Sequence, residues 1–188
     1  MEVRLIGVQR VYSSEVLIFD TGPLSHFARA DWLGVLKAVV GDRTAIIPDV
    51  VADELRTGGT LDSRVRGVLN ADWIELRELR SEDEITAFAT FSSLLVKDDR
   101  NRGEAGVLAL ASTMSAVAVV DDGAARKAAA DKGIELRPTL ALLCEAIRLE
   151  LLTVKLVAAL ADDLLATQYR LPFPPGGFET WANENGLV

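Results

Sequence analysis

The sequence is poor in the residues that make covalent cross-links and soft-metal sites. Among its 188 residues it has one cysteine, Cys144, and one histidine, His26. A disulfide within the chain is therefore excluded, and so is a zinc site built from several cysteines or histidines. Aromatic residues make up only 6% of the chain. With 49% hydrophobic and 26% charged residues, the composition is still that of a globular domain that buries its own core.

Positive charge is also in deficit, because 28 acidic residues outnumber 20 basic ones and the net charge is -8. This argues against a protein that coats nucleic acid with its whole surface, but it permits a local basic groove or an acidic pocket that holds a cation. No apolar run is long enough to span a bilayer. The first residues lack the basic and apolar regions of a signal peptide. We therefore expect a soluble, cytoplasmic protein without a membrane contact.

Short apolar runs alternate with helix-like segments along the chain. The predicted strands are 16–19, 45–47, 73–76, 116–120 and 134–136. The predicted helices are 24–40 (with Asp31 opening a second helix as an alternative), 50–55 capped by Asp49, 61–69, 82–95 with a capping box of Ser81 and Glu84, 103–112, 121–132, 139–152 and 153–167. This order predicts parallel βαβ units, and hence an α/β fold: a three-layer α/β/α sandwich with a central, mostly parallel sheet and a helical C-terminal extension.

Carboxylates recur where the predicted strands end. Asp20 follows the first strand, and the pair Asp121 and Asp122 follows the strand predicted at 116–120. Glu54 lies on the helix after the second strand, and Glu104 opens the small helix before Asp121. Ligands of parallel sheets bind at the carboxyl ends of the strands, so these acids stand where function is expected.

Each of these acids has an ordinary explanation when it is taken alone, as a helix cap, a partner of a helix dipole or a solvated surface group. As a set they have a cost, because clustered carboxylates repel one another and raise their own pKa values. A bound divalent cation removes this repulsion. Oxygen ligands without histidine or cysteine favour Mg²⁺ or Mn²⁺ over zinc, and such an ion suits the hydrolysis of a phosphodiester.

Four segments resemble, in order, the motifs of PIN domains. They are the strand with Asp20-Thr21 at 16–24, the segment from Pro48 to Glu54 at 46–55, the Gly103-Glu104-Ala105 start of a small-residue helix at 102–111, and the strand ending in Asp121-Asp122 at 117–126. The resemblance implies a catalytic domain at 16–137, an N-terminal extension at 1–15, C-terminal helices at 138–170 that pack on the same domain, and a tail at 171–188. The helical extension resembles that of VapC-like prokaryotic PIN proteins.

The resemblance implies a metal-dependent endoribonuclease that hydrolyses phosphodiester bonds of single-stranded RNA, as in the toxin of a VapBC-type toxin–antitoxin pair. It implies Asp20, Glu54, Glu104 and either Asp121 or Asp122 as the acids of a site for one or two Mg²⁺ or Mn²⁺ ions. The register slightly favours Asp122 over Asp121. A homodimer and an antitoxin protein are implied as partners.

Other residues are weaker candidates. Thr21 is expected to orient Asp20 or to bind water at the ion, or else to be an ordinary hydroxyl at a helix start. Arg100, Arg102 and Arg126 are candidates for contacts with the RNA backbone. For Arg100 and Arg102 the alternative is a solvated loop.

For Arg126 the alternative to an RNA contact is a helix ion pair with Asp122, four residues earlier. His26 is expected to pack or to lie on the surface rather than to act in the pocket. The rival function, from a different class, is a non-catalytic PIN-like module that acts by binding protein or RNA. Stoichiometric binding of Mn²⁺ distinguishes the two functions.

Overall fold

The computed structural model describes residues 15–98 and 100–187, so most of the expected extension at 1–15 lies outside the described residues. A parallel sheet occupies the centre of the protein. Its strands are β1 (Val16–Phe19), β2 (Thr44–Pro48), β3 (Ile74–Arg77) and β4 (Val117–Val119). Their order across the sheet is β3-β2-β1-β4, and every pairing is parallel.

Helices connect and flank the strands. In the described residues they are α1 (Thr21–Arg29), α2 (Leu33–Val40), α3 (Asp49–Gly58), α4 (Ser63–Gly67), α5 (Glu82–Leu95), α6 (Arg102–Met114), α7 (Gly123–Asp131), α8 (Thr139–Arg148), α9 (Val154–Ala166) and α10 (Phe178–Glu184). No helix in this part of the chain has the length and apolar character needed to cross a membrane.

Burial of the strands explains the three layers. Successive side chains of a strand point to opposite faces of the sheet, yet neighbours such as Leu17 and Ile18 are both fully buried. Both faces of β1, β2 and β4 are therefore covered by helices, as is usual for parallel strands. β3 forms an edge, and its last three residues are exposed. The predicted α/β/α sandwich with a parallel sheet is confirmed.

The helix predicted at 24–40 is two helices. α1 begins at Thr21, because the carboxylate of Asp20 accepts a backbone N–H of its first turn. After α1, Asp31 adopts a left-handed φ of 61° and turns the chain. The second helix that the alternative predicted is therefore present, but its N-cap is Trp32 rather than Asp31.

Other boundaries also differ from the prediction; the helix predicted at 139–152, for example, ends at Arg148. The N-cap of α3 is Pro48 rather than Asp49. The helix predicted at 61–69 is the short α4 followed by a 3₁₀ turn at Val68–Asn70. The strand predicted at 134–136 is only a single bridge, in which Leu136 pairs with Ala118 of β4. The sequence analysis also missed α10, because the proline- and glycine-rich residues before it end the helical pattern.

Hydrogen bonds and packing join the C-terminal helices to the rest of the described chain. The indole Nε1–H of Trp32 donates to Asp163 of α9 at 2.8 Å. Within α8, Cys144 is fully buried, as expected for a structural cysteine. Phe178 of α10 is also fully buried, so the tail ends in a packed element.

The capping box at the start of α5 is present as predicted. The carboxylate of Glu84 accepts backbone N–H groups of Ser81 at 2.9 Å and Arg80 at 3.0 Å, and the guanidinium of Arg77 at 2.9 Å. These donors hold the pKa of Glu84 down at about 2. The charged carboxylate therefore stabilises the fold above its ordinary pKa, and this contribution is lost as the pH falls toward 2.

We expect Glu84→Gln to lower the free energy of unfolding by about 1 kcal/mol at pH 7, as the loss of a helix cap does. The difference from the wild type should shrink between about pH 4.5 and pH 2, because Glu84 then becomes protonated in both states. Urea unfolding across this range measures it. Glu82→Gln, in the same first turn but exposed, is the control. A difference that does not change with pH would contradict the assignment.

Candidate active site

The strand order brings the candidate acids to one edge of the sheet. β1 pairs with β4, so Asp20 and the Asp121-Asp122 pair leave the sheet side by side. The backbone N–H of Asp20 donates to the carbonyl of Val119 at 3.1 Å, which carries the pairing one residue beyond β1. β2 pairs with β1 on the other side and leads into α3, which carries Glu54.

Asp20 is the most deeply buried of these acids, with 7% of its surface exposed. Its Oδ2 accepts the backbone N–H of Gly22 at 3.2 Å. Its Oδ1 is buried and has no hydrogen-bond partner. Burial, and next the negative charge of Glu104, raise the pKa of Asp20 well above its ordinary value. A buried carboxylate oxygen without a donor is costly, so this atom is suited to accept a cation.

Glu54 is held in place from two sides. Its Oε1 accepts the backbone N–H of Gly103 at 2.9 Å, and its Oε2 accepts the hydroxyl of Thr21 at 2.5 Å. Thr21 therefore orients Glu54, and the expectation that its hydroxyl orients Asp20 is wrong.

Gly103 leaves room for the acids to approach one another. A Cβ placed on this residue would lie 2.8 Å from Oδ1 of Asp20 and 2.8 Å from Oε2 of Glu54. The two carboxylates thus converge on the start of α6. A side chain at this position would push them apart.

Glu104 is the residue after Gly103 in the first turn of α6, and it lines the same cleft as Asp20. Burial, and among its neighbours the charges of Glu54 and Asp122, raise its pKa. Raised pKa values in a cluster of carboxylates are a mark of functional sites, because the repulsion has no structural benefit. The electrostatics thus connect Glu104 with Asp20, Glu54 and Asp122.

The two aspartates after β4 have different surroundings. Asp121 is engaged at both oxygens: Oδ1 accepts the backbone N–H of Thr139 at 2.9 Å, and Oδ2 accepts the hydroxyls of Thr139, at 2.6 Å, and of Tyr169. Asp122 is exposed, and its Oδ1 caps α7 by accepting two backbone N–H groups at 2.8 and 3.0 Å. Asp122 therefore keeps an oxygen, Oδ2, for a ligand, whereas Asp121 joins the extension to the sheet.

A cleft of about 820 Å³ opens beside these acids. Its lining includes Asp20, Glu104 and the Asp121-Asp122 pair, together with residues of α8 and residues from Gln168 onward. Its volume lies in the range of small-ligand sites, roughly 300–1,000 Å³. Residues between Gln168 and Leu187 thus form part of the candidate site.

The three candidate arginines lie in different places. Arg126 lines the cleft with the acids, and no ion pair joins it to Asp122, so the helix ion pair is wrong. Arg102 borders a smaller depression next to Glu54. Arg100 is exposed in the loop before α6 and lines neither cavity.

His26 lines the cleft as a half-buried side chain. The hydroxyl of Thr167 donates to the carbonyl of Leu164 at 2.7 Å, so Nδ1 of His26 donates to Thr167 over 2.7 Å. The ring also packs on Tyr169, with 4.8 Å between centroids. Burial, followed by Arg29, lowers the pKa of His26, so the neutral ring is favoured. Packing, as expected, is its main contact, although the ring reaches the cleft.

The acids fit a hard divalent cation. Their donors are carboxylate oxygens, and the buried Oδ1 of Asp20 lacks any other partner. Within the described residues, no three acidic, histidine or cysteine side chains are placed so that they could hold one metal ion together. Mg²⁺ is commonly held by one or two carboxylates and keeps several waters, so it needs no such group of three.

Comparison with known families agrees with this geometry. A family model described as DUF3368, PIN domain, matches residues 16–173, from β1 into the tail. The chain belongs to the PIN-domain family. The resemblance predicted from the four motifs is thereby confirmed. The match also includes α8, which lines the cleft, and α9.

Among solved structures, this PIN domain is similar to a crystal structure of VapBC2 from Rickettsia felis bound to a DNA fragment from their promoter. The TM-score is 0.48 and the sequence identity 12%, and the alignment covers 65% of this chain and 98% of the other. No curated protein matches this PIN domain in sequence.

We expect Gly103→Ala to weaken Mn²⁺ binding about tenfold or more, as changes next to metal ligands do, because the new methyl group displaces Asp20 and Glu54. The free energy of unfolding should change by only about 1 kcal/mol, since the displaced atoms are the ends of side chains. Calorimetric titration with Mn²⁺ and urea unfolding measure the two effects.

Gly34→Ala is the matched control for Gly103→Ala. Gly34 is likewise the second residue of its helix, and a Cβ there meets nothing within 4 Å. The Gly34→Ala variant should bind Mn²⁺ with the affinity of the wild type. Equal affinities for the wild type and Gly103→Ala would show that the acids do not act together on an ion.

The two aspartates after β4 should respond differently to amidation. Asp121→Asn should lower the free energy of unfolding by about 2 kcal/mol, because it disturbs hydrogen bonds to a buried charged group. Asp122→Asn should change it little, because Asn caps helices as well as Asp does, but should weaken Mn²⁺ binding. The opposite pattern in urea unfolding and calorimetry would assign Asp121 as the ligand.

Proposed function

We propose that this PIN domain is a metal-dependent endoribonuclease that hydrolyses phosphodiester bonds of single-stranded RNA, as a VapC-like toxin does. The observation that carries the proposal is the buried Oδ1 of Asp20, which has no partner and lies among acids that raise its pKa. Membership of the PIN-domain family supports a nuclease. An antitoxin partner, a homodimer and a cytoplasmic location remain predictions from the resemblance.

In this proposal Asp20, Glu104 and Asp122 hold one or two Mg²⁺ or Mn²⁺ ions. When bound, such an ion offsets the charge of the attacked phosphate and lowers the pKa of water. Glu54 belongs to the same acidic group, and its carboxylate keeps one orientation because Thr21 and Gly103 donate to it. Asp121 acts indirectly, since it fixes the end of β4 against Thr139.

The protein groups supply position and charge rather than a covalent intermediate. Asp20 has little freedom to move, because its carboxylate caps α1 and its backbone is paired with Val119. Arg126 faces the same cleft and supports contact with a phosphate next to the attacked bond. Because burial and neighbouring acids raise the pKa values of Asp20 and Glu104, protons compete with an ion at these carboxylates, and ion binding should weaken as the pH falls.

The alternative is a PIN-like module that binds protein or RNA without catalysis. It would retain the fold and would not bind Mn²⁺ stoichiometrically. Calorimetric titration separates the alternatives, because the catalytic proposal requires Mn²⁺ binding that Asp20→Asn abolishes.

We expect the wild type with Mn²⁺ to cleave single-stranded RNA. EDTA, Asp20→Asn and Glu104→Gln should each reduce the rate at least about 100-fold, because each removes the ion or one of its carboxylates. Gel analysis of end-labelled RNA measures cleavage. Asp72→Asn, which removes an exposed carboxylate paired with Lys37, is the control and should cleave normally.

Cleavage that survives both EDTA and Asp20→Asn would overturn the mechanism. Absence of cleavage on a range of RNAs, together with absence of Mn²⁺ binding, would favour the binding module. Absence of cleavage with Mn²⁺ binding intact would retain the metal site and indicate a narrower choice of RNA.

A further inference from the structure

The lining of the cleft includes apolar side chains besides the acids. They are Leu140 of α8 and Leu171, Pro172 and Trp181 of the C-terminal segment, which we define as residues 168–187. We call these four side chains the apolar wall. Apolar side chains and carboxylates that line one cleft indicate a ligand with an apolar part and a charged part.

The C-terminal segment is a firmly packed wall. Phe173 and Phe178 are buried, and the ring of Trp181 lies 5.2 and 6.3 Å from their centroids. The backbone N–H of Gly176 donates to Asp162 of α9 at 2.7 Å. Trp181 is itself only partly buried, so part of its ring is left to the cleft. Because this wall is already ordered, ligand binding does not require the entropy loss of ordering it.

Two arginines at the cleft lack acidic partners. Arg126 and Arg170 are both exposed and both line the cleft, and across residues 15–98 and 100–187 neither takes part in an ion pair. Acids are close at hand in the same cleft, so the unpaired guanidinium groups are available to an anionic ligand. Guanidinium groups match phosphate well, because they form paired hydrogen bonds with it.

We propose that the C-terminal segment is a nucleotide subsite. An unpaired base of the substrate lies against Trp181 and Leu171, and Arg126 and Arg170 bind the phosphates on either side of it. The inference rests on the proposed nuclease function and extends it, because a base inside a duplex could not reach this wall. The subsite therefore selects single strands, for which aromatic stacking and backbone charge are the usual means of recognition.

A nucleotide fits the cleft better than an apolar peptide segment does. A peptide would use the apolar wall, but it would leave the two arginines without anions. A nucleotide chain satisfies the wall with its base and the arginines with its phosphates, and it extends toward the acids with the phosphate to be cleaved.

The test measures binding without cleavage. Fluorescence anisotropy follows a short labelled oligouridylate, and an abasic oligomer of the same length, in the Asp20→Asn background with EDTA. The parent should bind oligouridylate about tenfold more tightly than the abasic oligomer, and Trp181→Leu should remove this difference.

Arg170→Ala should reduce the slope of log affinity against log salt by about 0.7, the value for one phosphate on a single strand. Arg66→Ala, an exposed arginine of α4, is the control and should leave both quantities unchanged.

The outcomes separate the subsite from the nuclease proposal. If the wild type cleaves RNA, but Trp181→Leu and Arg170→Ala bind both oligomers as the parent does, the subsite is overturned and the nuclease proposal stands. If the chain neither binds nor cleaves RNA, both are overturned, and an apolar peptide becomes the occupant of the wall. Should Trp181→Leu fail to fold by circular dichroism, Arg170→Ala decides alone, because Arg170 is exposed and outside the core.

Discussion

The burial of Asp20, together with repulsion from the partly buried Glu104 and Glu54, is the constraint on which the site depends. Parallel pairing of β1 with β4 and β2 brings Asp20, Glu54 and the residues after β4 to one edge, and α6 adds Glu104. Apolar burial of the strands stabilises this arrangement, since a cluster of like charges does not stabilise itself. The protein relieves part of the cost with donors: Gly22 to Asp20, and Gly103 and Thr21 to Glu54. It leaves Oδ1 of Asp20 without one, and this is the atom at which a cation yields the largest relief.

Two adjacent aspartates show how one strand end serves both the fold and the site. The side chain of Asp121 turns toward α8 and the C-terminal segment, where Thr139 and Tyr169 occupy its oxygens. Burial, and then the negative charge of Asp121, raise the pKa of Tyr169, so this phenol stays protonated and donates. The side chain of Asp122 turns toward α7 and the cleft. The same two residues therefore connect the extension to the sheet and complete the acidic edge.

Much of this could be predicted from the sequence, because the determining signals are local. Continuous apolar runs predicted β1, β2 and β4, and acids directly after them predicted the edge. The capping box of Ser81 and Glu84 predicted the start of α5. The N-caps of α2 and α3 lie one residue away from the predicted Asp31 and Asp49, because the exact start of a helix depends on the turn that precedes it. The roles of Thr21 and Asp121 depend on partners 33 and 18 residues away, respectively, and no local pattern contains them.

The C-terminal segment is another part of the site that local sequence patterns could not predict. Residues 171–177 are rich in proline and glycine, which predicts an irregular tail and nothing more. Their position follows from Phe173 and Phe178, which are buried and whose rings pack against each other and against Trp181. Tyr169 then joins this segment to Asp121 at the end of β4 through a hydrogen bond. Its ring also packs on His26 of α1. The shape of the cleft therefore depends on residues outside the alternating strands and helices.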